Sequence, residues 1–327
     1  MREAAFVKSN LKKWEEFEKL VSNPHKTNPD RLSDLFIQLT DDLAYAKTNY
    51  PKSKTTQYLN GLASKVHQGI YRNKKEEGNR FKKFWLYEVP EVMYHGRKYL
   101  LYSFLIFAGA AVLGVFSSTR DELFARLILG DGYVNMTISN IESGNPMGVY
   151  GFMPPFTMFL YIFFNNIRVS FFAFASGIFF SLGTIYLLFN NGLMLGVFQY
   201  LFVEYDLGYY SFLSIWVHGT LEIAAIVIAG AAGFMMGHGI VFPGTYSRMR
   251  SFRQGAKNGI KVIMALIPVF FMAAVLESWV TRHTELPDAL QLGIILISAF
   301  FIIGYFIIYP YRLYHGTVQQ DPTFQTA

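Results

Sequence analysis

Two hydropathy regimes divide this chain. Over residues 1–98, apolar side chains recur three and four positions apart between polar ones, and from Tyr99 onward apolar runs of membrane-crossing length take over. The first regime predicts short amphipathic helices. Ser9 is placed as the cap of a helix reaching about Val21, with Leu11, Trp14, Phe17 and Leu20 or Val21 on one face, and Asn23-Pro24 ends it. Residues 32–50 predict a second helix, stopped by Pro51, and residues 58–71 a third. Packing of these stripes against one another is the simplest reading. Residues 81–90 then lead toward the membrane, with Trp85 and Tyr87 as interfacial anchors.

The second regime predicts spans. About 20 apolar residues cross a hydrocarbon core, and residues 100–117, 169–189, 218–241, 260–280 and 290–309 approach or exceed that length. Basic residues set the expected orientation. Residues 242–261 carry Arg248, Arg250, Arg253, Lys257 and Lys261 without an acidic residue, so this segment is expected in the cytoplasm. Lys82, Lys83, Arg97 and Lys98 place the N-terminal domain on that side, and Arg312 the C-terminus. Residues 119–153 and 281–289 fall outside. An even number of crossings must then separate Lys98 from Pro243, and the runs above supply three. Residues 193–203 serve as the expected fourth, with residues 153–164 in the outer interface, and the opposite assignment stays open. Each is half a bilayer long, so the fold is expected to contain a short or re-entrant helix, tolerated where protein or a wet cavity surrounds it. The expected fold class is all-α. A cytoplasmic helical domain (1–98) precedes a polytopic membrane bundle of about six spans (99–314) and a tail (315–327).

Composition agrees: 52% of residues are hydrophobic and 17% aromatic. Residues 1–98 hold 19 Lys/Arg and 12 Asp/Glu, a soluble composition. With a charged N-terminus, no cleavable signal peptide is expected, and the first apolar run is expected to act as the insertion signal. The absence of cysteine excludes disulfides, thiolate metal sites and cysteine nucleophiles. The net charge of +6 follows from basic residues that flank spans or sit on short helices, so it implies contact with membrane lipids rather than nucleic acid. There is no P-loop, no GxSxG and no HExxH. The chain is therefore expected not to be an enzyme and to need no cofactor.

Polar residues within the membrane regime are the candidate site, because ionisable groups at that depth are costly unless paired or wet. His218 and Glu222 lie one helical turn apart in an apolar run, on one face. Either they lock helix packing through a hydrogen bond or they handle a proton or cation. His238 is about 30 Å along the helix from His218, so no metal site is expected. Glu277 falls near the outer end of its span, within pairing range of Arg282, and the topology brings it to the same half of the membrane as His218 and Glu222. Asn165, Asn166 and Arg168 separate two apolar runs, as helix caps with a snorkelling arginine or as a positive, amide-rich site beside a broken helix. Asn190, Asn191 and Gly192 read as a tight turn or as a helix break at a binding site. Gly177 and Gly183, and Gly230, Gly233 and Gly237, form small-residue faces for close helix packing, and they suggest a homodimer.

These elements, in this order, resemble the stage II sporulation protein M family of integral membrane proteins. The resemblance runs from Phe6-Val7-Lys8 to Trp14 and Leu20, through Ala44-Tyr45-Ala46 and Tyr58-Leu59-Asn60. It is strongest at Asn165-Asn166-Ile167-Arg168-Val169, Gly177, Asn191-Gly192-Leu193-Met194-Leu195-Gly196, His218-Gly219-Thr220-Leu221-Glu222 and Ala273-Ala274 to Glu277. It implies a multi-pass protein of the bacterial inner membrane. The founding member belongs to a complex that organises cell-wall hydrolases during spore engulfment. Relatives in bacteria that never sporulate are often encoded beside an AAA-type ATPase and von Willebrand factor A-like proteins. Their membrane part is similar to permease subunits of ABC exporters. The family brings no established catalytic residues.

Two functions follow as expectations. The first is a non-enzymatic scaffold, partnering other membrane or envelope proteins, an AAA-type ATPase system among them. The alternative is a transporter, permease-like protein or ion channel built around His218, Glu222 and Glu277, which requires a hydrated cavity reaching those residues. A membrane-embedded enzyme acting on lipid-linked substrates is a distant third.

Overall fold

Helical periodicity becomes helices throughout the described residues of a computed structural model, which are 2–22, 29–72, 80–121, 123–151, 153–282 and 286–320. They divide into two units, Met1–Arg80 and Phe81–Ala327.

The first unit contains α1 (Glu3–Ser22), α2 (Pro29–Asn49) and α3 (Lys54–Arg72). Trp14, Phe17, Leu35, Leu39, Leu59 and Leu62 are fully buried in one core. Trp14 Nε1 donates to Asp42 Oδ2 at 2.8 Å, which satisfies the indole where it is buried. Two expectations fail locally. Ser9 lies inside α1 and its hydroxyl donates to the Phe6 carbonyl, whereas Ser53 is the residue placed to cap, accepting from Thr56 N ahead of α3. Leu11 is exposed, because the buried face runs through Phe6, Trp14 and Phe17.

The second unit opens with α4 (Arg80–Lys83), a π-turn (Phe84–Glu88) and α5 (Val89–His95). It continues with α6 (Arg97–Ser118), α7 (Leu123–Leu129), α8 (Asp131–Glu142), α9 (Pro155–Ala175) and α10 (Leu182–Glu204). There follow α11 (Gly208–Val241), α12 (Arg248–Val275) with a π-turn (Leu276–Thr281), α13 (Asp288–Ile303) with a π-turn (Gly304–Ile308), and α14 (Tyr309–Gln320). Among the described residues, six segments are long and apolar enough to cross a membrane: Arg97–Ser118, Pro155–Ile178, Leu182–Glu204, Gly208–Val241, Arg248–Thr281 and Asp288–His315. The protein is a multi-pass, all-helical membrane protein.

The segmentation differs from expectation between Pro155 and Glu204. The run 169–189 is not one span. It is cut by a tight reversal at Ser176–Ser181, where Phe180 and Ser181 take positive φ (54° and 67°). Thr184 Oγ1 donates to the Ala173 carbonyl at 2.7 Å across that reversal. Residues 153–164 therefore form the first part of a full span, not an interfacial segment, and residues 193–203 the last part of another. The expected breaks at Asn165, Asn166 and Arg168 and at Asn190, Asn191 and Gly192 are helix interiors. The short helices lie elsewhere, at α7 and α8, packed beside α10 through Ala125, Val134 and Val197. Residues 81–98 belong to the membrane unit: Val89, Val92 and Met93 are buried in its main core.

Two π-turns end two residues before a proline, at Pro90 and Pro310. Pro90 has no N–H to return to the carbonyls of Trp85 or Leu86. Tyr305 and Tyr309 hydroxyls donate to those two carbonyls at 2.7 and 2.9 Å, and Tyr314 donates to Tyr87 at 2.9 Å. The C-terminal span thereby satisfies backbone that proline orphaned.

Small residues set the helix spacing. Gly192 and Gly196, one turn apart on α10, sit against the carbonyls of Phe107 and Ala111 on α6, and Gly114 sits against Leu193. Gly177 meets Gly233 backbone to backbone. The chain's own helices occupy these glycine faces, so they give no argument for a dimer. Gly196→Leu should force α6 and α10 apart and cost about 1–3 kcal/mol, the usual penalty of overpacking. A thermal-unfolding midpoint in detergent equal to the wild type would contradict this packing.

Candidate functional site

α11 carries two ionisable side chains on one face because His218 and Glu222 are four residues apart. At the end of α12 the chain widens into the π-turn Leu276–Thr281, which presents Glu277 and Thr281 to the same place. His218 Nδ1 lies 3.0 Å from Thr281 Oγ1, and His218 Nε2 lies 3.9 Å from Glu277 Oε1, too far for a hydrogen bond. From α9, Asn166 Nδ2 donates to Glu222 Oε1 at 2.5 Å. One ligand atom each from His218, Glu222 and Glu277 falls within 4.8 Å of the others. His218 is 4% exposed and Asn166 8%, whereas Glu222 and Glu277 are only partly buried. Among the described residues no Lys or Arg pairs with either carboxylate. Two carboxylates this close repel one another unless a proton or cation lies between them.

The knot faces a cavity of about 640 Å³ bounded by α6, α9, α10 and α11 and roofed by α7 and α8. Its polar lining is Tyr133, Asn165, Asn166, Asn191, His218, Glu222 and Glu277, with Tyr161 beside them, and nearly all else is aliphatic, Met or Phe. Tyr161 on α9 and Met194 on α10 line it while being 65% and 47% exposed, so the gap between these helices opens it to the exterior. Burial pushes the Tyr133 hydroxyl up to about 12, with the charge of Glu277 adding to the effect, which keeps the phenol a neutral group at the roof.

Sequence spacing and structure can be matched residue by residue. His218, Glu222 and Glu277 come together. Asn166 joins them directly, and Asn165 and Asn191 face the same space. Asn191 Nδ2 also donates to the Leu187 carbonyl one turn back, which lets an amide sit inside a helix. Arg168 is exposed on α9, and neither it nor Asn190 lines the cavity. Gly192 is a packing residue. Arg282 does not pair with Glu277: its guanidinium donates to the Met153 carbonyl. Thr281 and Tyr133 were missed by sequence reasoning. Thr281 is four residues after Glu277, the spacing that could have found it. Tyr133 carried no signal, because α8 lies in a segment between spans.

Asn166→Ala leaves Glu222 without its donor. The expected loss is about 1–3 kcal/mol, the cost of stranding a buried charged or polar partner, read as a lower unfolding midpoint in detergent. Arg168→Ala, at an exposed position, should change it by less than about 0.5 kcal/mol.

Residues 103–282 match the family described as Stage II sporulation protein M, and residues 4–72 match a domain of unknown function, DUF8413. The first match runs from Ser103 within α6 to Arg282 after the π-turn that follows α12, and so takes in every residue of the polar knot. No curated protein and no solved structure matches the chain. The chain belongs to the Stage II sporulation protein M family.

Proposed function

We propose that this protein is a permease-like membrane protein that admits a proton or small cation to its intramembrane cavity. One observation carries the reading: a cavity of about 640 Å³ reaches His218, Glu222 and Glu277, the feature a transport role requires and a sealed structural pair would lack. The walls are mostly aliphatic, and the knot offers two carboxylates and an imidazole with no Lys or Arg counterion among the described residues. No catalytic role is proposed.

A scaffold role is a second reading, favoured by the separate helical unit Met1–Arg80 with its own buried core. In that reading the unit recruits membrane or envelope partners, an AAA-type ATPase system among them, while the bundle anchors it.

The proposed location is the bacterial inner membrane with both termini cytoplasmic. Six crossings return the chain to its starting side. The loop before α12, followed by Arg248, Arg250, Arg253, Lys257 and Lys261, shares that side with Arg97 and His315. The chain has no cysteine, so single cysteines report cleanly. In intact cells, Ser143→Cys should react with a membrane-impermeant thiol reagent and Thr245→Cys should react only after permeabilisation. The reverse pattern would invert the topology.

In proteoliposomes under a pH gradient, wild-type protein should pass protons or cations, and Glu222→Gln should reduce the flux at least tenfold while remaining folded. Equal flux through both proteins, or none through either, would remove the transport reading in favour of the scaffold.

A further inference from the structure

We infer that His218, Glu222 and Glu277 form a binding site for a divalent first-row transition metal, with Zn2+ as the reference ion. The inference rests on the cavity being the ligand-receiving site, and it names the class of ion. Sequence spacing alone offers two ligands on α11, which argues against a metal. The fold supplies the third from the π-turn that follows α12, and the three donor atoms lie within 4.8 Å of one another.

Three features separate this cluster from a chance group of acids. It mixes an imidazole with carboxylates, a set that suits zinc, iron or manganese better than sodium or calcium, which prefer all-oxygen shells. Its ligands are held from outside. In the tautomer that donates from Nδ1 to Thr281 Oγ1, His218 turns the Nε2 lone pair toward Glu277, while Asn166 holds one oxygen of Glu222. Such outer partners fix ligating side chains at metal sites. Finally, the two carboxylates find no Lys or Arg among the described residues, so a dication would cancel the charge that burial makes costly. Ligands about 2.0–2.2 Å from a metal lie about 3–4 Å apart, so the present spread closes by about 1 Å through side-chain rotation. Three protein ligands leave at least one position open toward the cavity, as in sites where ligands exchange.

The test uses the full chain in detergent, carrying no histidine tag, stripped with chelator and dialysed against Zn2+ alone. Wild-type protein should retain one Zn2+ per chain by elemental analysis. Its X-ray absorption spectrum should fit one imidazole with oxygen donors, and Zn2+ should raise its unfolding midpoint. Glu222→Gln and Glu277→Gln should lose stoichiometric binding, Thr281→Val should weaken it about 10–100-fold, and Arg168→Ala should keep it. Folded wild-type protein that retains no stoichiometric Zn2+, or a spectrum without an imidazole, overturns the inference whatever the variants do. Equal retention by all variants overturns it too. Binding is read without flux, so a bound metal in a protein that transports nothing refutes only the transport reading. Proton flux through a protein that binds no metal refutes only this inference.

Discussion

Hydrocarbon cannot solvate an ionised side chain, and α11 carries His218 and Glu222 within its span. A charged residue at the middle of a span costs about 2.5–3.5 kcal/mol even on the most lenient scale. The arrangement of the bundle follows from that cost. All five other spans touch α11. It can be surrounded because Ala225, Ala229, Gly230, Ala231, Ala232 and Gly233 leave room for neighbours on every side, and all of them are buried. The lipid-facing work passes to the periphery, where Phe104, Leu105 and Phe116 on α6 and Ile297 and Phe300 on α13 are exposed.

Much of this was legible in the sequence. Run lengths predicted five spans, parity set by the basic segment at residues 242–261 called for a sixth, and the periodic N-terminal stripes predicted a separate helical core. The polar positions were read correctly as unusual but wrongly as breaks. An amide inside a span is affordable when a neighbouring helix supplies its partner, as Glu222 does for Asn166, or when it bonds back along its own helix, as Asn191 does. The true reversal at Ser176–Ser181 escaped notice for the opposite reason. Ser176, Gly177, Ser181 and Gly183 do mark it, but the glycines read equally well as a packing face, and Phe179, Phe180 and Leu182, which are exposed there, keep the run apolar from end to end. Apolar character reports depth in the membrane and says nothing about chain direction.

The three π-turns put one local geometry to two uses. At Phe84–Glu88 the altered ladder meets Pro90, and tyrosine hydroxyls from a distant span occupy the carbonyls left over. At Leu276–Thr281 the widened turn instead redirects side chains, bringing Glu277 and Thr281 to His218. Such single-turn widenings frequently mark functional sites. The first ties the chain's entry into the bundle to its exit. The second completes the polar knot.

The membrane segments built on α11 and α12 each run 34 residues, Gly208–Val241 and Arg248–Thr281. At a rise of about 1.5 Å per residue each is about 51 Å long, against a hydrocarbon core of about 30 Å. The apolar part of the second begins near Ile260, so residues 248–259, about 18 Å of helix, stand among headgroups and water. Gly239 against Ser251 and Gly255 against Met235 keep the two helices in contact over that stretch. The result is a hairpin handle, studded with arginine, on the same helices that lead to all three residues of the knot. A change in bilayer thickness or in anionic lipid content would act on this handle first; Pro268, which interrupts the α12 ladder between the handle and Glu277, separates what reaches Glu277 from what reaches His218 and Glu222 along α11.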